Sequence, residues 1–199
     1  MPLWKRALDI VVASIALLVL SPVIAAVAVY VMLDSSGGAF FRQTRVGSGG
    51  RLFTCWKFRS MRVGSDALLA SLMEHNEASG PIFKMKDDPR RTRAGRFVRR
   101  TSIDELPQLI NVLRGDMSIV GPRPPLVSEV LQYDESQLRR LAATPGMTGL
   151  WQVTLRGRRH DFADMVELDV EYARRRSLAL DIRIMLKTIP TVLFGKGSV

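Results

Sequence analysis

MPLWKRALDIVVASIALLVLSPVIAAVAVYVMLD, residues 1–34, is the stretch on which the fold turns. Lys5 and Arg6 precede an apolar run from Ile10 to Leu33, interrupted by Ser14 and by Ser21-Pro22. The run is long enough to cross a bilayer, which takes about 20 apolar residues. It is too long for a signal peptide, and no small-residue cleavage site follows a short apolar core. A spanning helix, a re-entrant hairpin and a buried soluble helix can each accommodate it. Two features favour the hairpin. Pro22 removes a backbone hydrogen bond in mid-run and kinks the helix, at a cost of about 3 kcal/mol. The flanks are basic on both sides, with Lys5 and Arg6 before and Arg42, Arg45 and Arg51 after, and such charges are retained on the cytoplasmic face. A chain that enters, breaks at Ser21-Pro22 and returns to the same face satisfies both. The Ser21 hydroxyl could then bond a carbonyl freed by the kink.

A second stretch carries the chemistry: RAGRFVRRTSIDELPQLINVLRGDMSIVGPRP, residues 93–124. Eight Lys or Arg lie between Lys84 and Arg100, against two acids, Asp87 and Asp88. The carboxylate pair Asp104-Glu105 follows, then an apolar helical segment from Leu106 to Leu113 and the turn Gly121-Pro122-Arg123-Pro124. Arginine forks bind phosphate oxygens bidentately. A carboxylate can attack phosphorus or hold a divalent cation. The same residues also have a purely local reading. Ser102-x-x-Glu105 matches a capping box, with Asp104 in the first turn of the next helix and Pro107 near its start. Capping accounts for the acids but leaves the arginines on both sides unexplained.

Composition narrows the partners. At 199 residues the chain makes one domain, or one with a small appendage, and its net charge of +10 predicts an anionic partner. Aromatic residues sit mostly in apolar runs, so no base-stacking platform is evident and nucleic acid is not expected. Cys55 is the single cysteine, which excludes an internal disulfide and leaves no cysteine set for zinc. His75 and His160 are the only histidines, too few for a triad or a histidine-based metal centre.

Along the chain, Asp34 to Gly50 reads as loop and turn, with Phe40-Phe41 at headgroup depth. Leu52 to Met61 reads as a strand whose alternation puts Phe53, Cys55, Lys57 and Arg59 on one face. The pattern predicts short helices over Ser65–Ala78, Ala94–Arg100, Pro124–Tyr133 and Glu135–Ala143, and a short strand at Leu150-Trp151-Gln152-Val153. Phe162 to Arg175 is an amphipathic helix. Leu178 to Phe194 is a strongly apolar one that fits either the membrane interface or the core. The expected class is α+β, mostly helical: a re-entrant N-terminal membrane helix-hairpin (1–34), then a cytoplasmic-face catalytic domain (35–199) with a small β-hairpin and C-terminal interfacial amphipathic helices.

Several pieces, in order, resemble the bacterial sugar transferases, the monotopic polyprenyl-phosphate phosphoglycosyltransferases. They are Lys5-Arg6-x-x-Asp9 before the apolar hairpin, Phe40-Phe41-Arg42-Gln43 with Arg45-Val46-Gly47, and Lys57-Phe58-Arg59-Ser60-Met61. After them come Asp87-Asp88-Pro89, Ser102-Ile-Asp-Glu-Leu-Pro-Gln108, Asn111-Val-Leu-Arg-Gly-Asp-Met-Ser118, Val120-Gly-Pro-Arg-Pro124 and Pro145-Gly-Met-Thr-Gly-Leu-Trp-Gln-Val153. The similarity covers nearly the whole chain. It implies transfer of a sugar 1-phosphate, with a lean towards hexose 1-phosphate, from a UDP-sugar to undecaprenyl phosphate, releasing UMP. It implies Asp104 as nucleophile and metal ligand, and Glu105 as its assistant, holding Mg²⁺ or accepting a proton. Lys57, Arg59, Arg99, Arg123 and an arginine of the 156–159 loop, Arg156 or Arg158, are implied as phosphate-binding. It also implies contact with membrane lipid at the bacterial inner membrane, with the active site on the cytoplasmic face. The oligomeric state is left open, a homodimer included. The chain departs from the family wording at Ser35-Ser36-Gly37-Gly38 and at Thr154-Leu-Arg-Gly-Arg-Arg159. Set against larger members with extra N-terminal membrane helices and an accessory domain, the sequence is expected to be either a minimal enzyme or a catalytic core.

Two rivals make different predictions. A membrane-bound basic protein that binds nucleic acid or scaffolds partners predicts salt-sensitive, sequence-independent binding and indifference to Asp104. A spanning transferase that joins both substrates in one ternary complex predicts no covalent intermediate.

Overall fold

The computed structural model describes residues 1–155 and 160–193. Its elements, in chain order, are α1 (Leu3–Asp34), β1 (Phe40–Val46), β2 (Leu52–Phe58), α2 (Leu69–Leu72), α3 (Arg93–Arg100), α4 (Gln108–Arg114), β3 (Ser118–Val120), α5 (Val127–Val130), α6 (Glu135–Leu138), β4 (Gly146–Thr148), α7 (Leu150–Thr154), α8 (Phe162–Arg175) and α9 (Leu178–Leu193). The class is mostly helical, with small sheets and one long apolar helix at the N-terminus.

That helix is held at both ends and bare in the middle. Its 32 residues correspond to a length of about 48 Å. In the first half Lys5, Asp9 and Ala13 are buried, and in the second Val27 and Val31. Between them Leu18 (77% exposed), Val19 (66%), Ser21, Pro22 and Val23 face outward. Pro22 cannot donate to the carbonyl four residues back, which is that of Leu18. The Ser21 hydroxyl donates to that oxygen at 2.9 Å, as the sequence predicted.

Each half of α1 belongs to a different core. Ala13 packs with Phe53, Cys55, Leu109, Val112 and Met117. Val27 and Val31 pack with Phe58, Ala94 and Val98. Strand β2 bridges the two, giving Phe53 and Cys55 to one and Phe58 to the other. The basic residues before the apolar run are not headgroup charges. Lys5 is buried and its ammonium meets Asp181 of α9 at 2.5 Å. Arg6 donates to the carbonyls of Val112 and Leu113 at the end of α4, both at 2.6 Å. Asp9 accepts from the Ser118 hydroxyl and the Ile119 N–H, each at 2.9 Å. Side chains of one helical turn thus tie α1 to α9, α4 and β3.

Two small sheets position the rest. Strands β1 and β2 form an antiparallel hairpin with Gln43 opposite Cys55 and Arg45 opposite Phe53. The 34–50 segment is therefore not all loop. Its alternation was hidden by glycines at both ends, Gly37-Gly38 and Gly47 to Gly50. Strands β3 and β4 pair in parallel, Ser118 with Gly146 and Val120 with Thr148. Here the chains nearly touch. A Cβ on Gly121 would lie 2.2 Å from the Thr144 carbonyl oxygen, and one on Gly146 would lie 2.0 Å from the Gly121 nitrogen. Only glycine permits that approach.

Three further expectations are corrected. Leu150 to Thr154 is helical, since Gly149 ends the strand and the segment packs on α8 and α9. Ser65 to His75 is mostly 3₁₀, with a four-residue α2, in place of one helix over Ser65–Ala78. Ser102 does not cap: it sits at φ +57°, ψ +14° with no side-chain cap bond, and Glu105 bonds Lys57 instead.

Candidate active site

Helix α3, capped by the Thr92 side chain accepting from the Gly95 N–H, runs against the end of the hairpin. A Cβ on Gly95 would lie 1.9 Å from the Ser60 carbonyl oxygen. The chain then turns sharply. Ser102 is the non-glycine residue with positive φ among the described residues, a conformation that costs an L-residue on the order of 1 kcal/mol and clusters at functional sites. It reverses the path into a 3₁₀ turn, Ile103–Glu105, that presents the two carboxylates. Asp104 therefore lies ahead of α4, outside its first turn. Helix α4 is docked on β2 by Asn111, which is fully buried. Its carbonyl oxygen accepts the Trp56 N–H at 3.0 Å, and its amide donates to the Thr54 carbonyl at 2.7 Å. That clamp brings strand residue Lys57 against the turn.

Lys57 Nζ lies 2.7 Å from Glu105 Oε1. Arg99 donates through Nε to the Ser60 hydroxyl at 2.9 Å and adds positive potential at Asp104. A cleft opens beside Glu105, lined by Arg45, Cys55, Lys57, Gln108, Arg123 and Gln152 among others. Arg123 is held by the buried Glu129, Nη1 to Oε2 at 3.2 Å, and Glu129 also accepts the Leu126 N–H at 2.9 Å. Arg45 donates to the Pro124 carbonyl at 2.9 Å and to Gln43 Oε1 at 2.6 and 3.0 Å. Hairpin and Gly-Pro-Arg-Pro turn thus fix each other.

The two carboxylates have different environments. Burial pushes Asp104 up to about 6, against the opposing pull of Lys57 and Arg99, and Glu105 adds to the rise. Burial also pushes Glu105 up, but Lys57, Arg123 and Arg45 outweigh it and hold its carboxyl below the usual range. Neighbouring acids driven apart in this way are a mark of divided chemical roles. Glu105 is the fixed anion. Asp104, 8% exposed, is a poorly solvated carboxylate, largely ionised at neutral pH and without an ion pair of its own among the described residues.

Of the expected site residues, the structure brings together Asp104, Glu105, Lys57, Arg99 and Arg123. Arg59 points elsewhere: it donates to the Gly38 and Phe40 carbonyls, each at 3.1 Å. Arg156 and Arg158 lie outside the described residues. Sequence reasoning missed Arg45 as a site residue because its segment read as loop. The signal was there in the alternation Phe41, Gln43, Arg45 against Arg42, Thr44, Val46. It also missed Gln108 and Gln152, for which no local signal exists. Among the described residues no three His, Cys, Asp or Glu converge as a ready-made metal site.

These features define an α+β protein with a long apolar N-terminal helix and an arginine-walled cleft beside a carboxylate pair, suited to a phosphorylated ligand. The chain belongs to the bacterial sugar transferase family, whose profile matches residues 1–195. It is 48% identical over 194 residues to the galactosyl transferase CpsE of Streptococcus agalactiae, covering 98% of this chain and 43% of that protein. It is 40% identical over 199 residues to the exopolysaccharide production protein ExoY of Sinorhizobium fredii, covering 98% of this chain and 87% of that one. It is 44% identical over 194 residues to the UDP-glucose:undecaprenyl-phosphate glucose-1-phosphate transferase of Escherichia coli, covering 94% of this chain and 39% of that one. The chain thus spans less than half of two of these relatives.

Proposed function

We propose that this chain transfers a hexose 1-phosphate from a UDP-sugar to undecaprenyl phosphate, releasing UMP, as the first membrane step of polysaccharide assembly. The observation that carries the reading is the dyad: a buried carboxylate, Asp104, beside a partner locked to Lys57 at the edge of an arginine-lined cleft, in a chain of this family. The Escherichia coli relative is named for this donor, acceptor and transfer.

An Asp104 oxygen attacks the β-phosphorus of the donor. The bond from that phosphorus to the bridging oxygen breaks, and UMP leaves. The phosphosugar is then held as an acyl phosphate, which splits one hard displacement into two. An oxygen of undecaprenyl phosphate attacks the same phosphorus, the aspartyl–phosphorus bond breaks and the carboxylate is regenerated. Lys57, Arg99, Arg123 and Arg45 bind and orient the phosphates and offset their charge. Magnesium characteristically takes one or two carboxylates and completes its shell with substrate phosphates and water. Asp104 and Glu105, adjacent and oxygen-only, are a donor set of that kind. The ion would neutralise diphosphate charge.

The anchor in this reading is re-entrant. Both ends of α1 pack on one domain while its centre, around Ser21-Pro22, is exposed and apolar, which supports a continuous helix dipping into one leaflet with Pro22 near its deepest point. Leu178, Ile182, Leu186 and Ile189 form an exposed apolar stripe on α9, which supports contact with the same interface. The reactive groups then lie at the headgroup level of the bacterial inner membrane, on its cytoplasmic face, where a lipid phosphate resides.

The test is intact-protein mass spectrometry after incubation with Mg²⁺ and a panel of UDP-sugars without lipid acceptor, beside Asp104→Asn. A mass gain of one phosphosugar, absent in the variant, is expected and identifies the donor. Release of UMP only when undecaprenyl phosphate is added, with no adduct from any donor, overturns the covalent route.

A further inference from the structure

We propose that the outward face of α3 is a binding surface for anionic phospholipid headgroups, beside the membrane helix and distinct from the catalytic arginines. The inference rests on the membrane reading above and adds a lipid preference to it. Helix α3 packs through Ala94 and Val98 onto Val27 and Val31 of α1. Its first turn is fastened there, since Asp34 at the end of α1 accepts the Ala94 N–H at 2.7 Å. The opposite side of α3 is exposed at Arg93, Arg96, Phe97 and Arg100. Spaced three, four and seven residues from Arg93, these form one stripe on the helix. Arg93 shares its charge with Asp34, whereas Arg96 and Arg100 form no ion pair among the described residues. Phe97, 49% exposed, meets the half-exposed ring of Tyr30 on α1 edge-on at 6.1 Å.

The stripe is therefore continuous with the exposed apolar side of α1. Two aromatic rings mark the boundary, a depth at which aromatic side chains prefer the headgroup region. Three guanidinium groups lie just beyond. Guanidinium is weakly hydrated and forks onto phosphate oxygens. A fastened helix carrying such a stripe at the exit of a membrane helix is complementary to a row of anionic phosphodiesters. Arg99 lies on the inner flank of the same helix, bonded to Ser60 and adding positive potential at Asp104.

The test uses the full chain with vesicles of phosphatidylcholine alone, or mixed equally with phosphatidylglycerol, read by co-flotation at low and high salt. The variants are the triple Arg93→Gln, Arg96→Gln, Arg100→Gln and the corresponding triple Lys. Each arginine near an anionic surface contributes roughly fivefold to partitioning, so the Gln triple should lose on the order of 100-fold on the mixed vesicles. It should bind phosphatidylcholine as the parent does, and the Lys triple should keep most of the preference. Equal preference in parent and Gln triple overturns the proposal. So does a raised KM for undecaprenyl phosphate in phosphatidylcholine alone, which would assign the arginines to the acceptor. Parent protein that floats with neither vesicle overturns the membrane reading itself. Parent that floats with both but equally overturns only this inference.

Discussion

Asp104 is the residue at which chemistry and stability oppose each other. Its carboxyl is raised from 3.8 to about 6 by burial, so the folded chain binds the proton more tightly than the unfolded one. The penalty for holding the ionised form is absent below about pH 3.8, grows as pH rises through that window, and is complete above about 6. A shift of this size corresponds to roughly 3 kcal/mol at most. Asp104→Asn should therefore abolish transfer and yet raise the melting temperature in metal-free buffer at pH 8. That gain should vanish towards pH 4, as followed by thermal denaturation across pH. A melting temperature lowered by the substitution at every pH would show that the carboxylate is structural. Ser102 stores strain at the same place, since its positive φ starts the 3₁₀ turn that carries both acids and sets Glu105 in the cleft. Positions of the acids were legible from Ser-Ile-Asp-Glu and its arginines. Their unequal ionisation was not, because it depends on which side chains surround each one in space.

At the scale of elements, the fastening of α1 is the feature that local patterns hide. Lys5 and Asp181 are 176 residues apart, and nothing near Lys5 distinguishes it from an ordinary basic flank of an apolar run. In the fold the pair is buried, and the single proton of the Tyr172 hydroxyl is shared between Asp181 Oδ1 at 2.8 Å and the Val120 carbonyl at 3.0 Å. Leaving one partner of a buried ion pair alone costs on the order of 3–5 kcal/mol. Lys5→Met should destabilise the fold in detergent by about that amount, read as a lowered thermal midpoint, and Lys5→Met with Asp181→Leu should recover much of it. Absence of any recovery would mean that Lys5 acts through packing and not through its charge. The hairpin teaches a related lesson: β1 alternates plainly over Phe40–Val46, but glycines on either side made the whole segment look like a turn.

The whole molecule is organised by a helix whose two halves belong to two cores. Re-entrant and spanning topologies differ in a single measurement. With native Cys55 fully buried, Pro2→Cys and Ser48→Cys can be labelled from either side of sealed vesicles. Both should react from the same side. Labelling from opposite sides would replace the hairpin with a spanning helix. Much of this architecture follows from sequence because it rests on local physics. Length and hydropathy specify an apolar helix, and a proline frees a carbonyl, so a bond from Ser21 to such a carbonyl was legible in advance; the structure identifies it as that of Leu18. Likewise, a carboxylate pair amid arginines announces phosphate chemistry. What only the tertiary structure decided is everything that depends on partners distant in sequence: Lys5 with Asp181, Asn111 clamping α4 to β2, and Arg45 joining Arg123 beside Glu105. Burial turned one member of a matched carboxylate pair into a poorly solvated anion and the other into a fixed counter-ion. Desolvation and charge pairing are set by neighbours in space, which local patterns along a chain do not encode.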